Sequence, residues 1–193
     1  MSPALTVSAP DAMVVTELPV RATVHERVRE TLRHRIVSGV LKPGEHLRQS
    51  ALAVQLQVSV APVREALRDL AAEGYVRFDP RRGASVRTVD LEEFLEIRLL
   101  LETFEPVAAR LAVQHVTPGE LARVRSLQEE LEGVTTVARY SPLDVTLHEV
   151  LTTSTRSPRL QGILESLDGA AHLLMAAALE AVPERIEQAI VEH

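Results

Sequence analysis

Asp144 and His148 stand four residues apart, and on a helix that spacing sets both side chains on one face. A carboxylate and an imidazole so placed can ligate one divalent ion. The same pair also makes an ordinary surface ion pair, and spacing alone leaves both readings open. A second chemistry lies upstream. Arg64 and Arg68, again four apart, back a stripe of Val63, Ala66, Leu67, Leu70 and Ala71. The apolar face would be buried and the two guanidinium groups would point outward, where they could meet phosphate or a guanine edge. Many solvated surface helices carry two arginines as well, so the surroundings must decide.

Those arginines need a helix to carry them. Ser59 is the expected N-cap, its hydroxyl accepting from a first-turn amide; Pro62 falls inside that turn and Gly74 stops the helix. In the stretch from Ser50 to Gly83, Ala51-Leu52-Ala53-Val54-Gln55-Leu56 predicts a short preceding helix, joined by a tight Gln57-Val58 turn. Two short helices with a basic outer face on the second form a helix-turn-helix, whose second helix enters the DNA major groove. Tyr75-Val76-Arg77-Phe78 and Ala84-Ser85-Val86-Arg87 predict paired strands around Asp79-Pro80-Arg81-Arg82-Gly83, a hairpin with a basic tip. Helix, turn, helix and basic hairpin make a winged helix.

The run from Val24 to Val89 resembles the GntR family of bacterial transcription regulators. It does so through Ile36-Val37-Ser38-Gly39-Val40-Leu41-Lys42-Pro43-Gly44-Glu45, Pro62-Val63-Arg64-Glu65-Ala66-Leu67, Glu73-Gly74 and Arg81-Arg82-Gly83. Within that family it is similar to the FadR-like branch, which carries an all-helical FCD effector domain, and the resemblance spans nearly all of the chain after residue 20. It implies a DNA-facing set of Ser50, Ser59, Val60, Ala61, Arg64, Arg68, Arg81, Arg82 and Gly83. Ser59 would bond phosphate, Arg64 would touch base or phosphate, and Arg82-Gly83 would form the wing tip. The family's turn reads Ser-Arg-Thr-Pro or Thr-Arg-Thr-Thr, whereas this chain has Ser59-Val60-Ala61-Pro62. Val60 therefore stands where an arginine would read guanine, and Val60 and Ala61 offer only apolar contact, as to a thymine methyl.

The FCD resemblance bears on the ion as well. That domain supplies Asp and His from one helix and two further histidines, which implies Asp144, His148 and His193, the last preceded by Glu192. Ligands of this kind suit a divalent ion of the Zn, Ni or Mn class and do not choose among them. The resemblance also implies an inward Arg98 pairing with a small carboxylate effector; a structural ion pair with Glu102, four residues on, fits Arg98 equally. His148-Glu149 lacks the His-Glu-x-x-His arrangement of zinc hydrolases. His172, His115, His46, His34 and His25 have no partner spacing and read as surface or packing residues.

Composition sets the outer bounds. The chain has 193 residues, 46% hydrophobic and only 3% aromatic with no Trp, so its cores must be aliphatic. Without cysteine there are no disulfides and no thiolate ligands. The net charge of -6 is unevenly spread. Residues 21–90 carry 13 basic against 8 acidic residues, residues 91–193 carry 8 against 17, and residues 1–20 hold two acids. A basic head and an acidic body put phosphate attraction on one module and keep the other off DNA. The longest apolar runs read as too short to span a bilayer, and no leader pattern opens the chain, so a cytoplasmic protein away from the membrane is expected.

The expected architecture is mostly α: a disordered extension over 1–20, a winged helix-turn-helix over 21–89, and an all-helical FCD-like domain for effector binding and dimerisation over 90–193. Val24, Val28, Leu32 and Ile36 predict the first helix, with Arg27, Arg29, Arg33 and Arg35 on its other faces as solvated charges or phosphate contacts. Asp90 should cap a long helix striped by Phe94, Ile97, Leu101 and Phe104, widened by Leu95, Leu99 and Leu100, and kinked or divided at Glu105-Pro106. Thr117-Pro118, Ser141-Pro142 and Ser157-Pro158 should open the next three helices. The last begins near Pro183, and the family pattern would continue past Val191-Glu192-His193, so the domain reads as incomplete at its C-terminus.

The function expected is a ligand-responsive regulator, a repressor, binding a near-palindromic double-stranded operator as a homodimer, and not an enzyme. Two alternatives stay open: a small metal-dependent hydrolase around Asp144, His148 and His193, or a truncated regulator acting only through dimerisation. Val60 gives a direct test. Val60→Arg should change which operator variants win in competition binding, because one bidentate arginine–guanine pair is worth ~1–3 kcal/mol of discrimination. An unchanged preference would refute the assignment.

Overall fold

The computed structural model describes residues 22–182 and residue 186; the extension expected over 1–20, His193 and nearly all of the helix expected from Pro183 lie outside the described residues. The elements run α1 (Val24–Val37), α2 (Gln49–Leu56), α3 (Val60–Ala72), β1 (Val76–Asp79), β2 (Gly83–Val86), α4 (Leu91–His115), α5 (Pro118–Leu131), α6 (Val137–Ser154) and α7 (Pro158–Ala181). A mostly α chain with one small sheet is as the sequence predicts.

The head is built on α1, α3 and the hairpin. Thr23 and Glu26 close a capping box at the start of α1, each bonding the other's backbone amide. Val28, Leu32 and Ile36 then meet Val63, Leu67 and Leu70 of α3, all buried. Each buried leucine stabilises the fold by ~1.5–3 kcal/mol. β1 pairs antiparallel with β2, Val76 opposite Val86 and Asp79 opposite Gly83. The extended segment before α2 adds an edge to this pair: Val86 donates to Glu45 O, and Leu47 to Ala84 O. Lys42-Pro43-Gly44-Glu45 makes the expected turn, with Gly44 at φ +79° and Glu45 N donating to Lys42 O.

Five expectations are corrected. Ser59 caps α3 by its backbone conformation only, with no side-chain bond to the first turn. Of the two alternatives at Glu105-Pro106, division is ruled out, since α4 runs through Pro106 as one helix of 25 residues. The ring sits on the exposed side, while Leu101, Ala108 and Ala112 anchor the opposite side in the bundle. Pro142 lies inside α6 rather than at its start; burial of Tyr140 and Ser141 draws the preceding turn into the helix. Leu95 and Leu99 do not widen the buried stripe of α4 but face outward, 60% and 65% exposed. Finally, Pro158–Leu179 of α7 is long and apolar enough to cross a bilayer by length and composition. Glu165 and Asp168 interrupt its apolar run and hide this from inspection. Its buried residues Leu160, Leu164 and Ala170 pack with α4, the role of a core helix.

The body joins the head through one core. Val145 of α6 and Leu173 of α7 sit among the buried residues of the head. The closest approach is at Gly169, whose amide donates to Glu73 O at 3.1 Å. A Cβ at Gly169 would run into that carbonyl oxygen and lie 2.7 Å from both Gly74 C and Tyr75 N. Two backbones thus touch where α3 gives way to β1, which only glycine allows. Gly169→Ala should destabilise the chain by ~1–3 kcal/mol, the usual cost of overpacking. Chemical denaturation should show a lower midpoint.

Candidate nucleic-acid interface and metal centre

Burial of Val63, Ala66, Leu67 and Leu70 fixes the rotation of α3, so Arg64 and Arg68 are exposed on its outer side together with Ala61 and Val60. At the hairpin tip Asp79 Oδ1 accepts from the amides of Arg81 and Arg82 at 2.7 and 2.9 Å. That turn and Gly83 at φ +81° leave both arginine side chains in solvent. A shallow groove of about 620 Å³ runs between the start of α2, Val60 and the wing, lined in part by His46, Arg48, Gln49, Ser50, Arg82 and Gly83. The structure therefore brings Ser50, Val60, Arg82 and Gly83 to one groove, with Ser59, Ala61, Arg64 and Arg68 exposed on or beside α3. His46 and Arg48 belong to the same groove and were missed. The cue was the extended His46-Leu47-Arg48 run, which bridges to Ser85 of β2.

The arginines of α1 divide. Arg33 reaches Glu30 and, on α6, Glu149, both at 2.8 Å, and Arg29 reaches Glu73 at 3.3 Å. These two hold the head to itself and to the body rather than standing free in water.

The second constellation is on α6 and α7. Asp144 is buried, 5% exposed, and Tyr140 donates to its Oδ1 at 3.3 Å. His148 Nε2 lies 3.7 Å from Asp144 Oδ1, and His172 Nε2 lies 3.6 Å from Asp144 Oδ2. One ligand atom from each of Asp144, His148 and His172 falls within 4.8 Å of the others. The helical spacing of Asp144 and His148 thus puts them side by side, as expected. His172, read from sequence as a packing residue, is part of the same cluster. Its partners lie 24 or more residues away in the chain, and no local spacing could have found it. Two imidazoles and a carboxylate fit a divalent ion of the Zn, Ni or Mn class and disfavour a soft thiolate-seeking one. Arg98 is exposed and pairs with Glu102 at 2.9 Å.

Residues 24–86 match the model of the gntR family of bacterial regulatory proteins, and residues 93–193 match the FCD domain. The chain belongs to the GntR family. Among curated relatives, the Escherichia coli HTH-type transcriptional regulator McbR is 36% identical over 55% of this chain and 48% of its own. The Bacillus subtilis gluconate operon transcriptional repressor is 35% identical over 68% of this chain and 55% of its own length. This chain thus spans roughly half the length of these relatives. The solved structure of E. coli McbR/YncC aligns at a TM-score of 0.72 and 26% identity, covering 88% of this chain and 82% of that one. A putative GntR regulator from Rhodococcus shares the fold at a TM-score of 0.61 and 23% identity, over 85% of this chain and 83% of its own. The families and relatives matched are transcription regulators, not enzymes.

Between the winged helix and the FCD domain of this GntR-family chain lies a polar cleft of about 80 Å³, lined in part by Arg29, Arg33, Glu73, Tyr75, Asp168 and His172. That volume holds a few waters and no metabolite. Half-buried Asp168 feels its desolvation first and then Glu105, Glu165 and Asp144, which together push its carboxyl up to about 7. In the folded chain it keeps a proton that the unfolded chain loses near pH 3.8. The stability this group adds is therefore complete at lower pH and is lost as pH rises through about 7. Asp168→Asn should remove that slope. Melting temperatures at about pH 5 and about pH 8, without divalent ions, should converge in the variant relative to the parent.

Proposed function

We propose that this chain is a ligand-responsive transcription regulator, a repressor, that binds a near-palindromic operator as a homodimer in the bacterial cytoplasm. The observation that carries this reading is the exposed basic face made by Arg64 and Arg68 of α3 and Arg81 and Arg82 of the wing. An α-helix with such a face fits the major groove, and a basic hairpin beside it meets phosphate or the minor groove. Repression follows the printed function of the gluconate operon relative. With Val60 at the helix start, base reading would pass to Arg64 on α3, with Arg48 in the groove beside the wing as a further cation.

The homodimer reading rests on α4, which is apolar on two sides. Ile97, Leu101, Ala108 and Ala112 face the bundle, while Leu91, Leu95, Leu99 and Val113 are exposed on the opposite side. Exposed leucine and valine clustered along one side of a helix form an apolar patch, and a second copy would cover that outer stripe. Two winged helices would then face two half-sites.

Asp144, His148 and His172, with His193 as a further donor, would hold the divalent ion. Its chemistry there would be to offer open coordination positions to a small carboxylate effector. The chain's own part is differential binding: two arrangements of the body that favour different spacings of the heads, biased by whatever the body binds.

Fluorescence anisotropy of the full chain on promoter fragments tests the reading. Affinity should fall steeply with salt. Arg64→Ala should weaken binding and, if it neutralises one phosphate, reduce the log–log salt slope by about 1. Binding that is absent at low salt, or insensitive to salt, would overturn it.

A further inference from the structure

The DNA-reading head and the ion cluster share a side-chain contact. Tyr75 is the residue between Gly74, which follows α3, and β1, so it stands at the root of both the recognition helix and the wing. It is buried, 2% exposed, and its hydroxyl lies 3.1 Å from His172 Nδ1, with the two rings parallel within 4°. His172, 7% exposed, turns its other nitrogen, Nε2, to Asp144. One imidazole thus bridges the candidate ligands on α6 and the hinge of the winged helix. The backbone beneath it is equally tight, since Gly169, one turn earlier on α7, bonds Glu73 O.

We infer that His172 is a positioning residue that couples the Asp144–His148 site to DNA reading through its hydrogen bond to Tyr75. The inference rests on the divalent-ion reading of that site. The chemistry is that of an imidazole with two unlike nitrogens. When Nε2 is given to a cation, the proton resides on Nδ1, and the ring must donate to the Tyr75 oxygen. When Nε2 is not so held, the neutral ring can carry its proton on either nitrogen, and Tyr75 can donate instead. The direction of the Tyr75–His172 hydrogen bond therefore differs with occupancy. The near neighbours of His172 offer little room to absorb the difference: Tyr75 is buried with its ring parallel to the imidazole, and α7 touches the Glu73–Tyr75 backbone. The change is passed to the root of the wing, where it alters how the wing and α3 are presented together. Removal of the Tyr75 hydroxyl should cut this path while leaving the Asp144 and His148 donors in place.

The chain has two tyrosines and no Trp, and both tyrosines border this cluster. Tyrosine emission of the full-length chain therefore reports on it. Three measurements are made with Zn, Ni or Mn salts alone: ion affinity by calorimetry, promoter-fragment affinity with and without saturating ion, and emission. Tyr140→Phe at saturating ion isolates the Tyr75 signal. The parent should bind ion, change DNA affinity by at least about fivefold on binding it, and shift its Tyr75 emission. Tyr75→Phe should keep its ion affinity within about threefold and its ion-free DNA affinity, and should lose most of the ion-dependent change. His172→Gln supplies the same comparison from the other side, with weaker ion binding and no coupling at saturation.

If Tyr75→Phe retains the full ion-dependent change in DNA affinity, the inference is overturned while the ion reading stands. The same holds if the parent binds ion with no change in DNA affinity or in Tyr75 emission. A parent that binds no ion overturns both readings at once, by a result that cannot be mistaken for the other two. Should Tyr75→Phe fail to fold, the Tyr140→Phe emission decides: an ion-dependent shift supports the inference, and none overturns it.

Discussion

The structure depends on one steric fact: α7 comes into backbone contact with the joint between α3 and β1. Gly169 has no side chain to hold the two apart, and its amide bonds the Glu73 carbonyl. From that contact follow the depth at which Tyr75 is buried, the position of His172 beside it, and the entry of Val145 and Leu173 into the head's core. The ion pairs Arg33–Glu149 and Arg29–Glu73 ring the same joint. Arg33 and Glu73 are partly buried, and the cost of desolvating them offsets much of what each pair contributes, so the joint is held by packing and flanked by charge. Two modules that read from sequence as separate domains share one hydrophobic interior.

Much of the fold was legible because the chain marks its helix starts chemically. Asp90, Thr117-Pro118 and Ser157-Pro158 all stand at observed helix starts. Prolines inside helices were the chief source of error. Pro106 and Pro142 each remove one backbone bond, yet neighbouring residues on the buried side hold the helix through them. Local sequence reports the lost bond and not the tertiary contacts that offset it. The outward turn of Leu95 and Leu99 escaped notice for a related reason. Periodicity names an apolar face, but α4 has two, and only packing says which one the bundle takes.

At the candidate sites the split is similar. The outer face of α3 and the basic tip of the hairpin follow from local pattern, since burying Val63, Ala66, Leu67 and Leu70 leaves Arg64 and Arg68 no other place. The Asp144–His148 pair follows from a four-residue spacing. His172 does not, because what gives it meaning is a tyrosine 97 residues earlier and an aspartate on another helix. Arg98, paired with Glu102 at the surface, shows the alternative that spacing had left open. Long-range chemistry is written in the fold.

The tip of the wing has a further consequence. Asp79 is held below the ordinary carboxylate range by the two amides that its side chain accepts, those of Arg81 and Arg82. It therefore stays ionised in mildly acidic solution, and the loop it organises keeps its form. A drop in pH cannot unpick this turn. Acid, if it alters the head, has to enter at other protonatable groups, His46 in the groove and those packed between head and body among them.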